Sequence, residues 1–150
     1  MTIDKAKALR QSPLFELVSN AELDVLGELS KPVRFARGEA IFTEGEVGAS
    51  LYVLVSGEVE VVRRAPDGAE KPLAVLDAPA VFGEMALIDR EPRSATVRAR
   101  SDCVALQLTA ENFATFRKHS RDGFTLVIVN IARLLASRLR EADARLADRI

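Results

Sequence analysis

The chain has 150 residues, the length of one ordinary domain, with 48% hydrophobic and 29% charged residues. This composition excludes a disordered chain, and no window approaches the roughly 18 uninterrupted apolar residues of a membrane helix. The 21 basic residues nearly balance the 22 acidic ones, which removes the bulk electrostatic case for a polyanion partner such as DNA. The single histidine, His119, excludes metal centres built from several histidines.

The start of the chain predicts two short helices. Ser12-Pro13 is typical of an N-cap followed by proline in the first turn, and Ser19 with Glu22 has the spacing of a capping box. Apolar residues at helical spacing follow each signal. Pro32 is expected to end the second helix.

The middle of the chain, residues 33–108, predicts about seven or eight strands. The apolar runs are VRF, AIF, LYVLV, EVEVV, PLAVL, ATVRA and CVALQL. Five of the eight glycines lie between residues 38 and 68, spaced like the turns of an all-β structure. Pro66-Asp67-Gly68 predicts a hairpin, because proline presets φ and glycine accepts a positive φ.

The end of the chain, residues 109–150, predicts a short helix around residues 111–118 and a long one from Phe124 onward, because no glycine or proline follows Gly123. The expected fold class is α+β. One domain, residues 1–150, would hold an antiparallel β jelly roll flanked by short N-terminal helices (1–32) and a long C-terminal helix.

The unusual segment is FGEMALIDREPRSATV, which begins at Phe82. Gly83 leaves room for close approach of a ligand, and the backbone N–H groups of Glu84, Met85 and Ala86 would open a short helix that favours negative charge. Arg93 adds a guanidinium suited to phosphate. These residues predict an anion cradle with one strong cation.

The Glu84 carboxylate fits this anion cradle if a ribose lies nearby, because the carboxylate oxygens can accept a hydrogen bond from a sugar hydroxyl. Sugar and phosphate together indicate a nucleotide. The sequence has no second basic residue at P-loop spacing and no carboxylate pair for Mg²⁺. A cyclic nucleotide, whose phosphate carries one negative charge, is therefore the expected ligand.

At these residues the sequence resembles the cyclic nucleotide-binding domain family of protein kinase regulatory domains, bacterial catabolite activators and nucleotide-gated channels. The family's phosphate-binding cassette, F-G-E-x-A-L followed by P-R-x-A, is similar to Phe82–Leu87 and Pro92–Ala95 here. The cassette spans residues 82–96, and the resemblance covers roughly residues 12–140.

The resemblance implies a role for several side chains. Glu84 would accept from the ribose 2′-hydroxyl, Arg93 and Ser94 would bind the cyclic phosphate, and Gly83 and Ala86 would supply backbone contacts. The full set of expected ligand-binding residues is Phe82, Gly83, Glu84, Met85, Ala86, Arg93, Ser94, Ala95 and, as the wall against the base, Leu73.

Two departures from the family's pattern affect what the resemblance implies. The family's Gly-Asp turn before the cassette is Pro79-Ala80 here, and the stretch 140–143, where activators place hydroxyls toward adenine, has no Ser or Thr. The identity of the base is therefore open, with cyclic AMP favoured over cyclic GMP.

The terminal helix carries an apolar seam at alternating steps of four and three residues. Its members are Ile128, Ala132, Leu135, Leu139, Ala142 and Leu146. The seam predicts either a homodimer or a helix that covers the jelly roll and closes over the ligand.

The terminal helix also carries five arginines: Arg133, Arg138, Arg140, Arg145 and Arg149. Acidic residues interleave with them, so we expect a solvated face without direct nucleic-acid binding and no complete activator-type transcription factor.

The leading hypothesis is a non-catalytic cyclic nucleotide receptor that signals through its C-terminal helix to a downstream protein. Neither cofactor, metal nor membrane is expected, and Cys103 is predicted to be a small buried hydrophobic residue. A lone cysteine and no apolar leader favour the cytoplasm. The alternatives are a disused pocket on a dimerisation or docking module and the regulatory part of a larger enzyme or channel.

Overall fold

The computed structural model describes the backbone of residues 2–148 and the side chains of residues 2–144. Its eight strands are β1 Lys31–Phe35, β2 Ala40–Phe42, β3 Ser50–Ser56, β4 Glu58–Arg64, β5 Glu70–Asp77, β6 Val81–Phe82, β7 Thr96–Ala99 and β8 Cys103–Thr109. They form two antiparallel sheets, in the orders β1-β8-β3-β6 and β2-β7-β4-β5. The jelly roll predicted from the sequence is confirmed.

The helices lie before and after these strands. They are α1 Lys5–Arg10, α2 Asn20–Leu29, α3 Ala110–His119 and α4 Arg121–Asp148, with 3-10 helices at Pro13–Phe15 and Glu84–Leu87. The long C-terminal helix is confirmed, but it begins three residues before Phe124. Ser12 caps a single 3-10 turn rather than an α-helix, and the sequence did not predict α1, which Asp4 caps.

The capping box at the start of α2 forms as predicted. The Ser19 hydroxyl accepts from the Glu22 N–H at 3.2 Å, and the Glu22 carboxylate accepts from the Ser19 N–H at 3.2 Å. Pro32 lies two residues after the Ser30 C-cap of α2, where a proline prevents the helix from continuing, as predicted. The helix ends at Leu29, and Pro32 lies in β1 opposite Leu106, on an edge strand where a missing N–H is tolerated.

Two apolar cores lie on opposite faces of the first sheet. On β3, Leu51 and Val53 pack against the helices, whereas Tyr52 and Leu54 point between the sheets, as the two-residue period of a strand requires. Cys103 belongs to the core between the sheets and is 3% exposed, which confirms its prediction as a buried hydrophobic residue.

The first half of α4 is fixed to the helical core. Val127 and Ile131 are fully buried, and the buried Asn130 amide donates to the carbonyls of Leu14 and Glu16 at 2.9 Å each. A side chain at Gly123 would meet the Phe116 ring at 2.8 Å, so glycine permits α4 to start this close to α3.

The residues of the apolar seam differ in burial along α4. Ile128 and Leu135 are partly buried against the core, Ala132 and Ala142 are exposed, and Leu139 is 63% exposed. Of the other seam and arginine positions, Leu146, Arg145 and Arg149 have side chains outside the described residues. Among the residues that the structure describes, none of the helices is long and apolar enough to cross a membrane.

Candidate functional site

The cassette begins with a left-handed glycine. Gly83 follows β6 with φ at +80° and opens the 3-10 helix Glu84–Leu87. A Cβ atom there would lie 2.9 Å from both the Ser50 carbonyl and the Arg93 guanidinium. Both the backbone angle and the close approach therefore require glycine at this position.

The Arg93 guanidinium lies half-buried at the back of the cassette. Its two terminal nitrogens donate to the Gly83 carbonyl at 3.2 Å and to the Ser50 carbonyl at 2.7 Å. Its carbon atom lies 4.0 Å from the centre of the Phe42 ring, a cation–π contact. The Nε atom is buried and has no hydrogen-bond partner among the described residues.

The surroundings of Arg93 leave its positive charge incompletely balanced. Burial lowers the pKa of Arg93 below its ordinary value, and this effect outweighs the opposing influence of Tyr52, Glu46 and Glu84. None of the described carboxylates forms an ion pair with Arg93. An anion placed beside Arg93 would restore the balance, because a buried charge is costly unless it is paired.

The loop between β2 and β3 holds the Arg93 backbone. The Arg93 N–H donates to the Glu46 carbonyl at 2.7 Å, and the Gly45 N–H donates to the Arg93 carbonyl at 2.9 Å. Gly48 on the same loop lies so close to the guanidinium that a side chain at this position would collide with it. Gly45 and Gly48 thus help to position Arg93, although they lie more than 40 residues before it in the sequence.

Glu84 is the buried carboxylate of the cassette, at 4% exposure. Its Oε1 atom accepts from the Arg138 guanidinium of α4, whose side chain is 46% exposed. Arg138 is exposed, as expected for a solvated face, but the sequence did not predict that its guanidinium also reaches the cassette. The structure links the cassette directly to the terminal helix.

These groups line one cavity of about 440 Å³, which we call the cassette cavity. Its size lies in the ordinary range of ligand pockets, about 300–1,000 Å³. Eight of the nine residues expected to bind ligand line it: Phe82, Gly83, Glu84, Met85, Ala86, Arg93, Ser94 and Ala95. The cassette is thus gathered around a single space, although the Ala86 N–H already donates to the Gly83 carbonyl within the 3-10 turn.

Leu73, the residue expected to form the wall against the base, does not line the cavity in this structure. It is 51% exposed on β5, whereas its neighbours Ala74 and Leu76 line the cavity together with Val61 of β4. Alternate residues of a strand face opposite sides, so Leu73 faces away from the side that Ala74 and Leu76 share, and it has no register partner where the β4–β5 pairing shifts.

Sequence reasoning also missed the contributions of distant residues to the cavity. Leu135 and Arg138 reach it from α4, and Phe42 reaches it from β2. The seam pattern already contained Leu135, but no local signal connects Arg138 with a carboxylate 54 residues earlier. Within the described part of the chain, no group of three or more His, Cys, Asp or Glu side chains could hold a metal ion.

Comparison with known families decides how this arrangement is classified. A family model described as "Cyclic nucleotide-binding domain" matches residues 32–120, more than half of the chain. The chain belongs to the cyclic nucleotide-binding domain family. The match contains the whole cassette, so the resemblance seen in the sequence is confirmed.

Relatives of this cyclic nucleotide-binding domain occur in several kinds of protein. The cyclic AMP receptor protein of Thermus thermophilus is 36% identical over 138 residues, covering 92% of this chain and 62% of the relative. Glutaminase 1 of Bradyrhizobium diazoefficiens is 36% identical over 137 residues, covering 91% of this chain and 22% of the relative. The crystal structure of the N-terminal domain of a Streptomyces coelicolor A3(2) transcriptional regulator superposes with a TM-score of 0.79 at 32% identity, covering 91% of this chain and 95% of that one. The chain thus spans about three fifths of the first relative and a smaller part of the second.

Proposed function

We propose that the chain is a non-catalytic cyclic nucleotide receptor in which Arg93 binds the cyclic phosphate and Glu84 binds the ribose 2′-hydroxyl. One observation carries this proposal: the half-buried Arg93 guanidinium, which has no carboxylate partner among the described residues, and the buried Glu84 carboxylate open onto the same cavity. A cyclic phosphate brings the single negative charge that Arg93 lacks. A ribose hydroxyl brings the donor that a carboxylate accepts.

The ion pair with Arg138 is compatible with sugar binding at Glu84. A carboxylate has two oxygens with about four acceptor positions, and the Arg138 contact occupies Oε1. Oε2 is then the acceptor for the ribose hydroxyl, and the Arg138 side chain covers the sugar from the direction of α4. In this arrangement the nucleotide contacts the terminal helix through Glu84.

The rest of the cavity suits the flat ring face of a nucleobase. Val61, Ala74, Leu76 and Leu135 supply aliphatic surface, which favours contact with a purine ring over hydrogen-bond readout. The stretch 140–143 lies in the exposed part of α4 and has no hydroxyl side chain. Cyclic AMP is the favoured ligand, and competition of the two nucleotides for one labelled cyclic AMP analogue tests this preference over cyclic GMP.

Isothermal titration with cyclic AMP tests the receptor proposal. We expect binding in the micromolar range or tighter, and a loss of about 2–5 kcal/mol of binding free energy in Arg93→Ala, because the phosphate is left without its partner in a partly dry site. Arg90→Ala is the matched control, since Arg90 is an exposed arginine of the same loop outside the cavity lining. No heat with either nucleotide up to millimolar concentration contradicts the proposal.

Two rival functions use the same fold. A dimerisation or docking module with a disused pocket is favoured by the exposed Leu139, and it predicts no binding in the unmodified chain. The regulatory part of a larger enzyme or channel is favoured by the relative named glutaminase, of which the matching region is 22%. A regulatory domain of this kind would also bind the cyclic nucleotide, as the receptor proposal requires. It differs in requiring a catalytic or channel domain on the same polypeptide.

A further inference from the structure

A second pocket lies on the other side of the cassette's 3-10 helix. It lies between α3, the start of α4 and Leu87, and its volume is about 360 Å³. We call it the α3–α4 pocket. It shares no lining residue with the cassette cavity, so nucleotide binding does not explain it.

The floor of this pocket is apolar. Phe113 is 1% exposed, and Leu87 and Phe124 are partly buried against the helical core. Their rings and methyl groups leave a recess that a single aromatic or leucine side chain would fill. Burying such a side chain there removes apolar surface from water on both partners.

The rim of the pocket is cationic. Arg117, Lys118 and Arg121 line it, and all three residues are exposed. None of them forms an ion pair with a described side chain. The Arg117 guanidinium lies 5.7 Å from the centre of the Phe124 ring, which keeps this charge beside the apolar floor.

Helix stability accounts for only part of this rim. Arg117 and Lys118 lie in the last turn of α3, where a cation is favourable, but Arg121 is the first residue of α4, where a cation opposes the helix dipole. Asp122 is the acidic residue of that first turn. The α4 dipole disfavours the positive charge of Arg121, and this charge lies beside those of Arg117 and Lys118. The arrangement points to an anion outside the chain.

We propose that the α3–α4 pocket docks an acidic segment of a partner protein. An aromatic or leucine side chain of that segment fills the floor, and carboxylates on either side of it pair with Arg117, Lys118 and Arg121. This chemistry fits a peptide better than a nucleic acid, because the basic group is compact and surrounds an apolar recess, whereas a phosphate backbone needs an extended basic track.

The test is a titration of the isotope-labelled full chain, followed by amide NMR shifts. The probe is a short synthetic peptide with one phenylalanine flanked on both sides by aspartates and glutamates. We expect the largest shifts at Leu87 and across residues 113–124. Replacing the peptide's phenylalanine by alanine is expected to weaken binding about tenfold or more, because the floor is left unfilled.

Variants of the chain separate the rim from the floor. Lys118→Glu combined with Arg121→Glu is expected to weaken binding by at least about tenfold, because attraction becomes repulsion. The matched control, Arg133→Glu combined with Arg140→Glu, reverses the same number of exposed charges on α4 outside the pocket and is expected to leave binding unchanged. Ala114→Trp places a ring over the recess from an exposed lining position and is expected to abolish binding.

Three results would overturn the proposal. The first is the absence of shifts around the pocket up to millimolar peptide. The second is equal binding of the alanine peptide, which would show that the floor is not used. The third is the same pattern of shifts with sodium tripolyphosphate or a DNA duplex, which would assign the rim to phosphate groups instead of an acidic peptide.

Discussion

Substitutions of Arg93 and Glu84 differ in which nucleotide-binding groups remain. In Glu84→Gln the amide oxygen still accepts from a hydroxyl, and the released Arg138 is exposed enough to be solvated. In Arg93→Ala nothing replaces the guanidinium. We expect Glu84→Gln to weaken cyclic nucleotide binding by about 1 kcal/mol, less than Arg93→Ala, in isothermal titrations under one buffer condition. The reverse order would show that the sugar and phosphate partners are wrongly assigned.

Gly83 combines a positive φ with close neighbours, and Gly68 has the positive φ alone. Their φ values are +80° and +85°, but a Cβ at Gly68 would meet no atom within 4 Å. Gly83→Ala and Gly68→Ala are each expected to lose about 1–2 kcal/mol of unfolding free energy from the backbone angle. Only Gly83→Ala should also weaken nucleotide binding, because its methyl group displaces Arg93.

Urea unfolding and nucleotide titration of both variants measure the two effects separately. Equal binding losses in the two variants would mean that the loss follows from reduced stability. Unchanged binding in Gly83→Ala would mean that the Arg93 position is not set by its contact with Gly83.

Residues that act through neighbours in sequence were predicted better than residues that act across the fold. Gly83 and Arg93 lie ten positions apart in one cassette, and the structure brings both to one cavity. The outward position of Leu73 is harder to predict, because the sequence pattern of β5 is apolar on both faces and does not show which face meets the cavity. The contact of Arg138 with Glu84 is not predictable from the sequence, because helical periodicity indicates a face of the helix but not what that face meets.

At the scale of elements, prediction succeeded where the local signal was chemically specific. The Ser19–Glu22 capping box and the Pro66-Asp67-Gly68 turn both form, because each satisfies backbone groups within a few residues. Helix α1 was missed because its six residues contain one buried side chain, Leu9, too few for an apolar period. The start of α4 was placed late because glycine disfavours a helix locally, whereas packing against Phe116 requires it.

The Glu22 carboxylate connects α2 with Ser120 in the turn between α3 and α4. Hydrogen bonds from the hydroxyls of Ser120 and Ser19 hold the pKa of Glu22 below its ordinary value of 4.5. A carboxyl group whose pKa is lower in the folded state than in the unfolded state stabilises the fold. This stabilisation is fully present at a pH above the unfolded-state pKa, and it is lost as the pH falls through the folded-state pKa. Glu22 is therefore expected to contribute to stability at neutral pH and to lose that contribution below about pH 4.5.

Urea midpoints at about pH 7 and about pH 3 test this contribution. The unmodified chain is expected to lose more stability between these conditions than Glu22→Gln, which has no charge to lose. Glu28→Gln, at an exposed position of the same helix, is the control and should lose as much as the unmodified chain. An equal loss in Glu22→Gln would contradict a role for the ionised Glu22 carboxylate.

At the scale of the whole molecule, α4 joins the helical core to the cassette cavity. Its first half is fixed by the buried Val127 and Ile131, and its next turns reach the cavity through Leu135 and Arg138. Among the apolar residues in and just after the cassette's 3-10 helix, Leu87 packs against the helical core, whereas Met85 and Ile88 are 40% and 47% exposed. In the proposed receptor, the groups placed to connect a bound ligand with α4 are therefore the Glu84–Arg138 pair and Leu135.

A ligand shifts a conformational equilibrium only by its differential affinity for the two states, so a nucleotide bound to Glu84 should stabilise the docked position of α4. We expect hydrogen exchange over residues 124–148 to slow on adding cyclic nucleotide, mainly after Ala132, and by more than in the remote Gly57–Gly68 hairpin. The slowing should be smaller in Arg138→Gln than in the control Arg133→Gln, because only the first removes the link to Glu84. Unchanged exchange throughout α4 with an occupied cavity would mean that the helix is a fixed oligomerisation element, and that the signal leaves the domain through the jelly roll instead.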